Sequence, residues 1–380
     1  MPAGPTDKAK KILILTMSAG AGHLSAAKAI NKELWAQNPS WEITVADHAE
    51  LIGKLKGQVM TKSYNLMTSY FPGLWKAFYD LADFNFPRPL FNQLRHLFSR
   101  VGERRVVNFV LKHEFDYIIC THFASAHIIS AMKKANQLTL PLAVVITDFG
   151  LNQIWLANKV DHYFVASDYT KQQLIAAGVN IKIIHAFGIP IRQEFAQRAA
   201  KLERAAAKKT GPLKLLIVET RTNRKPLFSL LRALLAQQSA LQITLVGLKP
   251  QHLEPVQKLL HQLGFKAAVH GFINNLEDYL ATADLVITKA GGLTTAEAMA
   301  LQTPMIALRP IPGQEMTNVK ALLAAGAGLH AKNEKQAAKL VAQLIKDPAQ
   351  LARMQAATQT LARPQAASDI AKLIKQKMLS

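Results

Sequence analysis

The chain has 380 residues, 49% hydrophobic and 19% charged, a balance that excludes a disordered polyelectrolyte and suits two α/β domains. No uncharged apolar run reaches the roughly 18 residues of a membrane span, and the single cysteine, Cys120, excludes an intrachain disulfide. With 46 Lys and Arg against 25 Asp and Glu the formal charge is +21, a field that draws polyanions, either nucleic acid or an anionic lipid surface.

The first predicted strand, Ile12 to Leu15 in KKILILTM, runs into a loop carrying Gly20 and Gly22 and then an Ala-rich helix. That is the opening of a βαβ unit whose glycine loop normally holds a phosphate. Here Ser25 takes the place of the third glycine of a dinucleotide fingerprint, and His23 follows Gly22. KAKK before ILILTM imitates a secretory leader, but an apolar part of about six residues is too short for one, so the reading is a cytoplasmic protein. Further strands are predicted at Trp41–Asp47, Tyr117–Cys120, Leu142–Thr147, His162–Ser167 and Ile181–Phe187, with helical patterns between several of them. Strands alternating with helices imply a parallel, doubly wound sheet. Cys120, inside the apolar YIIC, reads as a buried thiol.

The segment from about 50 to 112 fits neither sheet. It holds many aromatics, Trp75 among them, and ten basic residues against four acidic, including Arg95, Arg104 and Arg105. Basic residues interleaved with aromatics fit a helix lying in a membrane interface. They fit equally a helical insertion with an aromatic core and a charged wet face.

Residues 196–212 are Ala- and charge-rich, end in Gly211-Pro212, and read as a surface helix plus linker. A second series of strands follows: Lys214–Glu219, Gln242–Gly247, Lys266–Phe272, Asp284 into the Gly291-Gly292 turn, and Thr303–Pro310. The predicted fold is α/β, two Rossmann-like doubly wound domains facing a central cleft. Their bounds are 1–195 with the insertion, and 213–346, with the linker between them. A helix over 347–380 is expected to pack back on the first domain.

The run ITKAGGLTTAEAMALQTPMIALRPIPGQEMTN, Ile287–Asn318, carries the strongest signal. A strand ends near Lys289, Gly291 and Gly292 turn the chain, and a helix follows at about Thr294. Free N–H groups of that helix would hold a diphosphate. Glu297, one turn in, offers two acceptor oxygens that match the vicinal hydroxyls of a ribose. Gln314 and Glu315 lie on a Pro/Gly-stiffened loop at the next strand's C-terminal end, where ligands of open α/β sheets bind.

This run resembles the nucleotide-sugar end of GT-B glycosyltransferases, closest to the processive diacylglycerol β-glucosyltransferases and monogalactosyldiacylglycerol synthases. The pattern KxGG-T-x-x-EA with PxPGQE-x-x-N is met by Lys289, Gly291, Gly292, Thr294, Glu297, Pro312, Gly313, Gln314, Glu315 and Asn318. The opening GAGH, Val145–Leu174 and Gly188–Phe195 look like family segments too. The resemblance implies a second domain that binds a UDP-sugar and a first that binds a lipid acceptor, diacylglycerol or its glucosylated product. In HGFINN it implies uracil reading at Phe272 and Ile273, and it adds Leu293 to the donor side. His23 becomes the expected general base, since an imidazole takes up protons near neutral pH, with Asp148 as its orienting partner. Gly22, Asn152 and Trp155 fall on the acceptor side with Trp75, Arg95, Arg104 and Arg105, which would meet an anionic membrane. The expected place is the cytoplasmic face of the membrane, bound peripherally.

No D-x-D occurs, and the histidines show no zinc spacing, so neither metal nor other cofactor is expected. Two departures stand out. Asn152 occupies a position that is usually histidine in the family. The loop after the first strand of the second domain, ETRTNRK, lacks glycine, so Arg221 or Arg224 would have to supply charge at the diphosphate. Other donors, UDP-galactose or UDP-N-acetylglucosamine, are the alternatives within enzymes. A UDP-sugar-binding protein with impaired catalysis and an NAD-dependent oxidoreductase, resting on Gly20, Gly22 and Asp47, are the others. No RNA-binding motif appears, and no nucleic-acid partner is expected.

Overall fold

The computed structural model describes residues 9–18, 21–53, 104–202, 211–219 and 223–379, with scattered positions between 57 and 77. Contacts divide the chain into two units. One comprises Met1–Thr68, Ala77–Gln193 and Gln365–Ser380; the other comprises Ser69–Lys76 and Glu194–Pro364.

In the first unit, β1 (Lys11–Thr16), β2 (Glu42–Asp47), β3 (Tyr117–Cys120), β4 (Leu142–Val145), β5 (His162–Phe164) and β6 (Ile184–His185) form one sheet. Their order is β2-β1-β3-β4-β5-β6 and every pairing is parallel. The central strands are apolar at every position because helices cover both faces, which removes the alternation seen in half-solvated sheets. Leu13 and Leu15 pack on one face with Ile118, Val144 and the helix Phe123–Lys134, while Ile12 and Ile14 pack on the other with Ala27, Ile30 and Leu34 of the helix Ala21–Gln37.

That second face is closed by the end of the chain. The region expected as one terminal helix is two, Pro348–Ala357 and Ala366–Leu379. They part around Pro364, since a residue before proline is disfavoured in helical geometry. Pro348–Ala357 belongs to the second unit. Ala366–Leu379 joins the first sheet's core through Ile370, Ala371 and Ile374. Gln37 Nε2 donates to the Ser368 carbonyl at 3.3 Å, and Lys375 Nζ to the Gln37 carbonyl at 3.2 Å.

In the second unit, β7 (Leu213–Val218), β8 (Leu241–Val246), β9 (Lys266–Val269), β10 (Leu285–Thr288), β11 (Met305–Leu308) and β12 (Gly328–Ala331) form another all-parallel sheet, ordered β12-β11-β10-β7-β8-β9. The edge strand β12, with sequence GLHA, has no strand signature: it is short and half Gly and Ala, so its pairing with β11 comes from tertiary context. Conversely IKIIHAF opens with a 3-10 turn, Ile181–Ile183, and keeps only two paired residues, Ile184 and His185.

Each sheet reverses direction of growth once, between β1 and β3 in the first and between β7 and β10 in the second. Ligands of open parallel sheets bind outside the strand C-termini at such a reversal. Among the described residues no helix is long and apolar enough to cross a membrane.

Candidate active site

At the reversal of the first sheet the chain leaves β1, passes the glycine loop and enters the helix Ala21–Gln37, with His23 in its first turn and 8% exposed. His23 Nδ1 lies 2.9 Å from the Thr121 carbonyl, at the end of β3, and 3.0 Å from Thr147 Oγ1, just past β4. Thr121 Oγ1 donates in return to the His23 carbonyl at 3.1 Å. A carbonyl oxygen only accepts, so Nδ1 carries the proton and Nε2 keeps the lone pair. Burial lowers this imidazole from 6.5 to about 4, against the raising effect of its bond to Thr121. His23 is therefore neutral at pH 7, with its free nitrogen a proton acceptor.

The surroundings are aromatic and rich in histidine. His122 meets His23 edge to face at 4.7 Å, and Trp155 lies 6.1 Å from it. His122 Nδ1 accepts from the Ala124 amide at 3.1 Å and caps the helix Phe123–Lys134, so that its proton sits on Nε2. Burial first, then His23, His48 and His127, hold His122 well below its usual range. His127 Nε2 donates to the Ile154 carbonyl at 2.8 Å. Among the described residues no group of His, Cys, Asp and Glu is arranged to hold a metal ion. Cys120 is fully buried, and burial pushes its thiol up.

Asp148 is buried on the loop after β4, and the preceding residue, Thr147, is the one whose hydroxyl contacts His23. Asn152 is also buried; its Oδ1 accepts from the Ile154 amide at 2.9 Å and caps the 3-10 turn Gln153–Trp155, while Nδ2 has no partner among the described residues. Trp155 belongs to the core of this unit and packs on His23 and Phe123, so it faces no membrane surface. Gly22 lies in the helix beside His23. Arg104 and Arg105 are exposed on a helix over 104–112, where Arg105 Nη1 donates to the Ile52 carbonyl at 3.1 Å and is committed to the fold. Trp75 is half-buried in a short helical segment, 73–77. Arg95, Arg221, Gly20 and all the aromatics between 78 and 103 lie outside the described residues.

At the second sheet's reversal, β10 is followed by Lys289 and Ala290, and the helix Gly292–Ala300 starts with Gly291 as its N-cap. No side chain caps this helix and no acid lies in its first turn, which leaves its leading amides and positive dipole end to a ligand. Ala290 is held left-handed at φ 63, and Arg309, after β11, at φ 52. Non-glycine residues pay for that conformation and keep it only where surroundings enforce it, often at binding sites. The enforcement is visible. Asn318 Nδ2, fully buried, donates to the Ala290 carbonyl at 3.0 Å. Glu315, 3% exposed, accepts from Lys289 Nζ at 2.6 Å and from the Ile311 amide at 2.7 Å. Arg309 forms a bidentate pair with Glu334.

The loops after β10 and β11 are thus fastened to each other through Lys289, Glu315 and Asn318. A Cβ on Gly291 would come within 3.3 Å of Glu315 Oε1, so this glycine keeps the turn close to the carboxylate. Leu293 and Thr294 are half-buried at the helix start, Glu297 is buried one turn on, and Gln314 is half-buried on the facing loop. Ile273 is half-buried, whereas Phe272 is 85% exposed, an unusual position for a large aromatic ring. Thr121, Thr147 and Arg309 escape sequence reasoning. The two threonines announce themselves only as polar residues just after apolar strands, and Glu334 is 25 positions from its partner.

The profile of the monogalactosyldiacylglycerol (MGDG) synthase family matches residues 23–191, and that of the glycosyl transferases group 1 matches residues 199–361. The chain is 30% identical over 376 residues to a processive diacylglycerol β-glucosyltransferase of Bacillus cytotoxicus, covering 97% of this chain and 94% of that one. Among solved structures it is similar to MurG of Acinetobacter baumannii, with TM-score 0.64 and 17% identity over 97% of this chain and 99% of that one. It is also similar to HepE of Anabaena in complex with UDP-glucose, with TM-score 0.54 and 16% identity over 96% and 99%. Those structures share the GT-B fold with it. Sequence match along nearly the whole length, together with this pair of sites, places the chain in the family of processive diacylglycerol β-glucosyltransferases and monogalactosyldiacylglycerol synthases.

Proposed function

We propose that this protein transfers glucose from UDP-glucose to the hydroxyl of diacylglycerol, inverting the anomeric centre, and reuses the glucosyl product to give a diglucosyl lipid. The observation that carries the reading is the His23 tautomer, a buried imidazole with Nδ1–H fixed by a carbonyl and Nε2 free to accept, in a chain matched over 97% of its length by a processive diacylglycerol β-glucosyltransferase. The lipid oxygen attacks the anomeric carbon, its proton passes to His23 Nε2, and the bond from that carbon to the UDP oxygen breaks. Thr121 and Thr147 steady the imidazolium through Nδ1.

UDP leaves with its negative charge on the terminal phosphate. The uncapped N-terminus of Gly292–Ala300, with Gly291, Gly292, Leu293 and Thr294, is suited to absorb that charge without a metal. Glu297 would take the ribose hydroxyls, the Phe272–Ile273 backbone the uracil, and Gln314 the sugar. Glu315 and Lys289 hold one another and shape the loop. Asp148 and Asn152 support the acceptor side.

A lipid acceptor calls for a peripheral enzyme at the cytoplasmic face of an anionic membrane. Val59, Leu66, Phe71 and Leu74, all more than half exposed, support this. A UDP-galactose donor is the second reading, raised by the name of the monogalactosyldiacylglycerol synthase family whose profile matches the first unit. The test is a lipid product assay with diacylglycerol in anionic liposomes and labelled UDP-glucose, UDP-galactose or UDP-N-acetylglucosamine. Label in the organic phase from UDP-glucose supports the proposal, and label from UDP-galactose alone replaces the donor. UDP binding without product from any of the three would leave a nucleotide-sugar-binding protein.

A further inference from the structure

Two helices of the second unit enclose a groove of about 870 Å³. On one side the helix Lys225–Ala233 presents Lys225, Phe228 and Arg232, which fall three or four residues apart and so on one face. On the other the helix Glu334–Lys346 presents Lys335 and Lys339, again on one face. Arg224, which also lines the groove, lies 5.6 Å over the Phe228 ring.

Five cations line the groove, and among the described residues no carboxylate does. None of the five forms an ion pair among those residues either. A basic chain has basic surface everywhere, but here like charges converge across a concavity whose floor is apolar, with Ala233, Ala338 and half-buried Phe228. Like charges so placed repel each other, and a polyanion relieves the repulsion. The floor accommodates methylene groups beside the charge. A single aromatic, itself covered by Arg224, offers no series of stacking platforms of the kind single-stranded nucleic acid needs.

We propose that this groove seats the phosphate headgroups of anionic phospholipid, docking the second unit on the membrane. The choice of a lipid source rests on the proposed lipid acceptor; the affinity for phosphate rests on the groove alone.

The experiment is co-sedimentation of the full chain with vesicles of phosphatidylcholine containing 0 or about 30% phosphatidylglycerol. It compares wild type, R232Q/K335Q/K339Q, and the charge-matched control K214Q/K258Q/K266Q, whose three lysines are exposed elsewhere on the same unit. Each cation at an anionic surface contributes roughly fivefold in partitioning, so the groove variant should bind about a hundredfold more weakly, at low salt, to the anionic vesicles. The control should lose tenfold or less, and R232K/K335R/K339R should bind as wild type, which separates charge from folding.

Equal losses in the groove variant and the control would overturn the proposal in favour of a diffuse field. So would undiminished vesicle binding by the groove variant, or competition by 10 mM inorganic phosphate strong enough to release wild type, which would assign the groove to a free phosphate. RNA that binds wild type and loses affinity in the groove variant, with vesicle binding unchanged, would also overturn it. Glucosyl transfer to diacylglycerol in neutral detergent micelles is read in parallel, where the groove variant should match wild type. Absent product with intact, groove-dependent vesicle binding would sink the glucosyltransferase reading and leave the groove standing.

Discussion

The two units have nearly the same sheet and put different chemistry at its reversal. The second follows the six-strand order of a nucleotide-binding fold, with β8 and β9 on one side of β7 and β10 to β12 on the other. Among the described residues the first has a single strand, β2, on the corresponding side, and the insertion of about 50–112 falls between β2 and β3. Where the second unit offers a helix end and loops locked by Glu315 and Asn318, the first offers a desolvated imidazole. The same topology supplies a position, and the residues at that position decide whether it handles a proton or a diphosphate.

If that division of labour holds, substitutions at the two reversals must separate in what they change. The largest effect is expected from His23→Ala. Turnover should fall about 10²- to 10⁴-fold, the range of general acid–base contributions, while the Kd for UDP moves less than threefold. A loss of UDP affinity comparable to the loss of turnover would put His23 on the donor side and dissolve the comparison. The converse substitution is Asn318→Ala, which strands the buried Ala290 carbonyl at a cost of about 1–3 kcal/mol and frees a left-handed residue to relax. UDP affinity should weaken roughly tenfold, measured by calorimetry, with no displacement of the pH–rate profile.

The pH dependence sharpens the comparison on the proton side. Burial depresses the His23 pKa to about 4, so the competent neutral form is present at every pH above it. The profile of kcat/KM should stay flat from pH 8 to about 5 and fall only near 4. An acid limb near 6.5 would mean a solvated base. The same depression affects stability. Below 6.5 the unfolded chain binds a proton that the folded one refuses until about 4, so stability is full above 6.5 and is lost as pH falls through that window. At about 1.4 kcal/mol per pH unit, His23 alone accounts for on the order of 3 kcal/mol. His48 and His122, lowered by burial in the same unit, add in the same direction. Acid unfolding monitored from pH 7 to 4 should therefore strike the first unit before the second. A divalent-metal chelator should leave turnover unchanged if the helix end alone absorbs the leaving charge, and a fall restored by Mg²⁺ would reject a metal-free site.

Strand positions were legible because buried parallel strands are apolar runs that stand out between helical patterns; YIIC is β3 residue for residue. The strand β12 was not, since GLHA has little intrinsic strand preference and pairs because β11 is already there. The break at Pro364 was written in the sequence, but a continuous Ala- and charge-rich pattern on both sides overrode it. At the site, residues that follow glycine turns or sit in a spaced motif, such as His23, Gly291 and Glu297, can be read one chain segment at a time. Partners brought together only by strand order cannot: Thr147 is 124 residues from His23 and becomes its neighbour because β4 lies two strands from β1.

That neighbour gives the smallest and most discriminating test. Thr147→Val keeps shape and removes one oxygen from Nδ1, while the Thr121 carbonyl still fixes the tautomer, so the base remains usable. What is lost is part of the stabilisation of the imidazolium, which at a buried site has few other partners. Turnover should fall about three- to tenfold, and the acid limb should move further down, because the charged form is what the hydroxyl favoured. Thr147→Ser, which restores the oxygen, should recover both. If Thr147→Val lowers turnover without moving the limb, the hydroxyl serves packing and the Thr121 carbonyl alone orients His23.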